Sequence, residues 1–194
     1  MLYSKLTGGF YTQEIHGLDI PLDAMEISIE EHAALLQGQS EGKIISGDAD
    51  GYPVLADSPK PTSAEVWERI KAERERRKDG GVKVLIGGVD KWFHSDTGSR
   101  IQHLGLKDKA RDLLAAGGNM ADNIIILGQE VRWKTMDGSF VGVTAQLAGD
   151  IVTGTGNLDA HLFVVAENHK AAMEASPDPA AYDFSGGWPT IYGE

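Results

Sequence analysis

Few residue groups in this chain have the types and spacing that chemistry needs. His94-Ser95-Asp96 gathers the three side-chain types of a serine-hydrolase triad in one tripeptide. Neighbours along a strand point to opposite faces, so the three do not converge from there. No Gly-x-Ser-x-Gly elbow accompanies them. Asp48-Ala49-Asp50-Gly51 begins like a calcium loop, but the twelfth position counted from Asp48 is Pro59, where the glutamate that closes the cage is required. A hairpin turn is the better reading. Gly154-Thr155-Gly156 is too short for a dinucleotide fingerprint and follows no clear strand. The histidines are His16, His32, His94, His103, His161 and His169. None forms an HExxH pair, and His161 and His169 are too far apart to share a metal from consecutive turns. His169 falls on an apolar helical stripe and is expected as a hydrogen-bonded core residue. Carboxylates are plentiful, but sugar hydrolysis needs two of them facing at a set separation, which nothing here specifies. The expectation is no catalytic residue, no metal site and no cofactor.

The elements around these residues follow from caps, turns and periodicity. Tyr3, Phe10, Tyr11 and Ile15 alternate loosely with polar residues and suggest short strands over residues 3–16. Pro21 sets a turn. Ser28 with Glu31 makes a capping box for a short helix over 29–38, burying Ile29, Ala33, Leu35 and Leu36 and stopping at Gly38. Two apolar runs flank Asp50-Gly51 and predict a hairpin. Pro59 and Pro61 mark an extended linker.

Beyond the linker, Thr62 and Glu65 cap a helix over 63–79 whose stripe is Val66, Trp67 and Ile70. Its basic run, Arg74-Glu75-Arg76-Arg77-Lys78, is interleaved with acids and reads as a solvated, self-paired face rather than a nucleic-acid helix. Val82–Ile86 and Lys91–His94 form a hairpin. Asp96, Thr97 or Ser99 caps a helix over 99–116 with Ile101, Leu104, Ala110, Leu113 and Leu114 inward. Ile124–Leu127 is a buried run of either type. Asp137-Gly138 makes the strongest hairpin signal. Thr144 caps a short helix to about Val152, the Thr153–Asn157 stretch breaks the pattern, and a further helix covers 158–175. The aromatic tail, Tyr182 to Trp188, docks on its own domain or on a partner. Trp188, beside Gly186-Gly187, is a candidate exposed side chain. The fold class is α+β: a small β-rich N-terminal unit (1–57), a proline linker (58–62) and a mixed helix-and-hairpin C-terminal domain (63–194).

Composition narrows the function classes. Apolar residues make up 41% of the 194, enough for a core, and there is no cysteine, which removes disulfide and zinc-thiolate chemistry. No apolar run spans a bilayer and the start lacks a signal-peptide design, so a soluble cytoplasmic protein is expected. The net charge of −11 is uneven: residues 1–58 carry ten carboxylates against Lys5 and Lys43. Such a front repels nucleic acid and anionic membrane, and either serves solubility or attracts a basic protein.

Two sets of motifs carry a family resemblance. Gly9-Phe10-Tyr11, Glu14-Ile15-His16-Gly17, Ile20-Pro21, Glu26-Ile27, Glu30–Leu36 and Asp48–Leu55 resemble the N-terminal segment of phage tail fibre assembly proteins. Trp67-Glu68-Arg69-Ile70, Arg76–Val82, Phe93–Asp96, Arg100–Gln102 and Trp133–Val141 resemble the DUF4376 domain often joined to that segment. Residues 85–90 and 105–131 match less well.

The resemblance implies a non-enzymatic chaperone that helps a phage or tailocin tail fibre trimerise by binding its C-terminal tip, in the cytoplasm of the bacterial host. The alternative is a component that stays at the fibre tip on the particle and contributes to host binding. The implied partner is the tail fibre protein, with no nucleic acid or membrane, and a homo-oligomer is compatible with it. An enzyme acting on surface polysaccharide, using His94 and Asp96, is a third hypothesis. Phe10, Tyr11, Glu14, His16 and Trp188 are the candidate protein-binding residues. The competing reading makes Phe10 and Tyr11 core residues and Gly17 a turn.

Overall fold

The computed structural model describes residues 1–194. The chain divides into two compact units, Met1–Lys60 and Pro61–Glu194, and the fold is α+β in character.

The first unit opens with strands β1 (Leu2–Ser4) and β2 (Gly9–Tyr11), helix α1 (Gln13–His16), a 3-10 turn at Gly17–Asp19 and strand β3 (Met25–Glu26). The three strands form an antiparallel sheet in the order β2-β1-β3. Ile15 therefore lies on a helical turn, not on a strand as its alternation suggests. Helix α2 (Ile29–Ser40) starts at the Ser28–Glu31 capping box, with both reciprocal hydrogen bonds made. Strands β4 (Lys43–Gly47) and β5 (Pro53–Asp57) form a hairpin across Asp48–Gly51. Tyr3, Ile27 and Leu35 make the core, with Met1, Phe10 and Ile45 packed against it.

Two expectations for α2 fail. Ile29, Ala33 and Leu36 are exposed, and of the four residues expected inside only Leu35 is buried. A two-turn contact with a small sheet needs only one narrow stripe. The helix also runs through Gly38. That glycine is buried because β5 crosses it closely: a Cβ there would lie 2.2 Å from Leu55 Cδ1. Its role is close approach, not termination.

The second unit begins with α3 (Ser63–Lys78), capped by the Thr62–Glu65 box. The hairpin β6 (Val82–Ile86) and β7 (Val89–Phe93) follows, then α4 (Thr97–Ala115), with Asp96 as its N-cap. Two further hairpins pair β8 (Ile125–Ile126) with β9 (Gln129–Glu130) and β10 (Arg132–Lys134) with β11 (Phe140–Gly142). The last helix, α5 (Ala145–Glu174), has thirty residues. A short 3-10 turn at Pro179–Ala181 leads into the tail.

The unit holds three clusters strung along α5. Val143, Ala145 and Ala148 pack with Leu106, Ala110 and Ile124. Leu147 and Ile151 pack with Val82, Val84 and Phe93 of the β6–β7 hairpin. Ala166 and Met173 pack with Val66 and Ile70 of α3.

Three sequence expectations are corrected here. The helix expected in two pieces, to Val152 and from 158, is continuous. Each interior glycine costs about 1 kcal/mol relative to alanine. Burial of Ile151, Thr155 and Leu162 on one face holds the helix together, Thr155 Oγ1 donates back to the Ile151 carbonyl at 2.8 Å, and Gly154 lets β6 approach. On α4, Ile101 and Leu104 are exposed, and the inward face is His103, Leu106 and Ala110. An imidazole holds the core position that an apolar-only stripe passes over. Of Ile124–Leu127, only Ile124 is buried; Ile125 and Ile126 sit on the outer hairpin and Leu127 is fully exposed at its turn.

Candidate functional site

The residues that suggested chemistry are occupied with structure. Ser95 is fully buried. Its Oγ donates to the Lys78 carbonyl at 2.6 Å and accepts from the Gly81 N–H at 2.8 Å, stapling the end of α3 to the loop before α4. Asp96 accepts from Ser99 N–H and Oγ–H as a helix cap, and those bonds hold its carboxyl below the usual range. No nucleophile–base pair exists in this tripeptide. Asp48 Oδ1 accepts from the N–H groups of Asp50 and Tyr52, closing the hairpin turn. No three His, Asp or Glu side chains are arranged to hold a metal ion.

The buried histidine of the chain is His103, which the sequence reading left without a role. It packs between Phe93 and Trp133, its Nε2 donates to the His94 carbonyl at 3.0 Å, and Nδ1 has no partner. Burial pushes its pKa below the ordinary imidazole value. The lone pair is sealed from solvent, so this is a core group. His169, expected in the core, is half-buried. It bonds to the Tyr182 hydroxyl and the Gly186 carbonyl, both at 2.9 Å, and thereby ties down the tail.

The candidate protein-binding residues fall into two groups. Phe10, Tyr11, Glu14 and His16 lie together at the start of the first unit. The pleat separates the two aromatics. Phe10 is paired with Tyr3 and packs on the core, with His32 edge-on at 4.5 Å. Tyr11 faces the other side with its ring 5.0 Å from His16, and its hydroxyl bonds Thr7. His16 Nδ1 accepts from the Thr12 N–H at 3.0 Å, so the imidazole closes its own turn. Glu14 is exposed. Trp188 belongs to the second unit and is half-buried, with Nε1 donating to the Phe184 carbonyl and its ring beside His169 and Arg77. The exposure suggested for it is not found.

What the first unit presents outward is apolar surface of another kind. Leu6, Ile15, Leu18, Leu22 and Ile29 are each 73% exposed or more. A groove of about 280 Å³ lies between α2 and β5, walled by Ile27, Ala34 and Leu35 on one side and residues 52–55 on the other. Glu31 stands at its rim, kept ionised by hydrogen bonds from the Ser28 backbone and side chain. The groove is apolar apart from this one carboxylate. Adjacent residues gave no signal for it, because α2 and β5 meet only in three dimensions.

Comparison with known proteins places the chain. A family model described as a domain of unknown function, DUF4376, matches residues 61–186. The chain belongs to the DUF4376 family. A probable tail fiber assembly protein of Shigella phage SfV is 47% identical over 76 residues, which cover 39% of this chain and 43% of that relative. The match thus spans less than half of the relative's own length. No solved structure matches the chain. The resemblance to DUF4376 is borne out, and the resemblance to tail fibre assembly proteins meets a relative of that name. No helix is long and apolar enough to cross a membrane.

Proposed function

We propose that this DUF4376 protein is a non-enzymatic assembly factor for a phage tail fibre. It binds the C-terminal region of the fibre protein and helps it fold and trimerise in the cytoplasm of the bacterial host. One observation carries the reading: the 47% identity to a phage protein named for tail fibre assembly. The geometry agrees with it. Of the His94-Ser95-Asp96 tripeptide, Ser95 is engaged as a staple and Asp96 as a helix cap. The first unit offers exposed leucines and isoleucines in an acidic setting, as suits a protein that shields apolar surface of another chain.

The alternative, a permanent component of the fibre tip, would have the aromatic tail as its contact. Tyr182, Phe184 and Trp188 pack on α3 and α5, so the tail lends it no support.

The test is co-expression with the tail fibre protein of the same phage or prophage. The expected result is a clear rise in soluble, SDS-resistant fibre trimer. Equal trimer yield with and without this chain would sink the assignment.

A further inference from the structure

The β4–β5 hairpin is a two-stranded sheet, so β5 pairs on one side only. At the mouth of the hairpin the Asp48 N–H donates to the Tyr52 carbonyl at 2.8 Å. From that bonded pair the register runs Gly47↔Pro53, Ser46↔Val54, Ile45↔Leu55, Ile44↔Ala56 and Lys43↔Asp57. Bonded and non-bonded pairs alternate in an antiparallel ladder. The backbone groups of Pro53, Leu55 and Asp57 therefore turn outward, away from β4. Pro53 has no N–H, and at an outward position it leaves the ladder intact. The edge offers the N–H groups of Leu55 and Asp57 and the carbonyls of Pro53 and Leu55.

The apolar groove follows this same edge. Its strand-side wall is four consecutive residues, Tyr52 to Leu55. Successive side chains of a strand point to opposite faces, so four in a row line one groove only where it runs along the strand's margin. Helix α2 is drawn tightly onto β5 at Gly38, and the groove lies beyond that contact, along Glu31, Ala34 and Leu35. Backbone groups for pairing and an apolar trough for side chains thus stand next to each other.

Charge selects the occupant. Residues 1–58 carry ten carboxylates against two lysines. That field favours a cationic segment and disfavours a second copy of this chain, whose net charge is −11.

We propose that the outer edge of β5 and its groove bind an extended partner segment, alternating lysine or arginine with apolar residues, by strand addition. This rests on the reading that the chain handles another protein, and it names the surface and the chemistry of what is held. The partner strand pairs with Leu55, lays its apolar side chains against Ala34 and Leu35 on the α2 face, and turns its cations to the opposite face, past Val54, and the acidic surround.

The test is fluorescence anisotropy of the full chain with a labelled peptide of alternating lysine and valine, about seven residues long, and its glutamate-valine counterpart. The lysine peptide should bind at least about tenfold more tightly than the glutamate one. Ala34→Arg, which fills and charges the groove, should weaken binding about tenfold or more, as should Val54→Lys; Leu18→Arg, the same charge change outside the groove, should not. Both groove residues are exposed, and matched thermal melts check that the variants fold. No binding, equal loss in Leu18→Arg and Ala34→Arg, or a wild-type dimer that Ala34→Arg splits would each overturn the proposal. Fibre co-expression separates it from the reading above. If Ala34→Arg rescues fibre trimers as well as the wild type does, the groove is not the seat of the partner and this inference falls alone. If the wild type fails to rescue while the peptide results hold, the fibre assignment falls and the groove stands.

Discussion

Arg77 and Glu194 are 117 residues apart in sequence, and Arg77 Nη1 donates to Glu194 Oε2 at 2.9 Å. The same guanidinium donates to Glu73 at 2.6 Å and to the Pro189 carbonyl at 2.7 Å. Arg77 is 8% exposed, so it is the exception to the solvated, self-paired face expected of α3: it reaches inward and fastens the tail. Replacing Arg77 with Met leaves the Pro189 carbonyl without its donor, while Glu73 and Glu194 keep their bonds from Arg76. Glu194 is 39% exposed and relaxes into water, so the loss is chiefly that of the bond to the Pro189 carbonyl, about 1–2 kcal/mol. Arg77→Lys, with no planar fork, recovers little of it. Chemical denaturation reads both.

Ser95 joins two stretches of backbone through one hydroxyl. Ser95→Ala strands the Gly81 N–H and leaves the Lys78 carbonyl only its bond from Arg100 Nη2, at a cost of about 1–2 kcal/mol. Gly81→Ala should be at least as harmful. Its φ is +101° and an added Cβ would lie 2.4 Å from Met136 Sδ, so strain and overpacking combine. An unchanged midpoint for Ser95→Ala would refute the staple, and an unchanged midpoint for Gly81→Ala would refute the strain.

His103 makes stability depend on pH. Its folded-state pKa lies below the free value of 6.5 because burial disfavours the cation. Above 6.5 neither state binds a proton and stability is complete. As pH falls through that value the unfolded chain takes up a proton that the folded chain resists. Stability then drops by at most about 1.4 kcal/mol per pH unit until the folded pKa is reached. Urea midpoints taken between pH 7.5 and 5 should show this slope, and a His103→Gln chain should flatten it. The same slope in both chains would show that His103 is not its source.

Leu127 is 97% exposed and has φ +53°, followed by Gly128 at +75°. Two positive φ values in a two-residue loop make a type I′ turn, where asparagine is favoured and leucine is strained. Leu127→Asn should stabilise the protein by about 1 kcal/mol. A melting temperature that falls instead would mean that the leucine makes contacts this turn does not reveal.

Local signals were the legible part of the fold. Ser28–Glu31, Thr62–Glu65 and Asp137-Gly138 each act within four residues, and each stands where its pattern places it. What escaped was decided by distant neighbours. Gly154 reads as a break until β6 is beside it; Gly38 reads as a stop until Leu55 crosses it; Ile101 outranks His103 in hydropathy but not in position. At the opening motif the two readings keep Phe10 and Tyr11 together, and the pleat of β2 divides them: Phe10 packs on the core and Tyr11 faces His16. The groove of Ala34 and Val54 had no sequence signal, since its walls belong to elements that pair only after folding.

The long final helix has a consequence for how this protein tolerates change. Its first half serves the clusters around Val143 and Phe93, and its second half serves the cluster around Ile70. At about 1.5 Å per residue, Ala148 and Met173 are nearly 40 Å apart. Substitutions at the two ends share no neighbours, so their energetic effects should sum. One end of the second unit is thus free to drift in sequence without consulting the other.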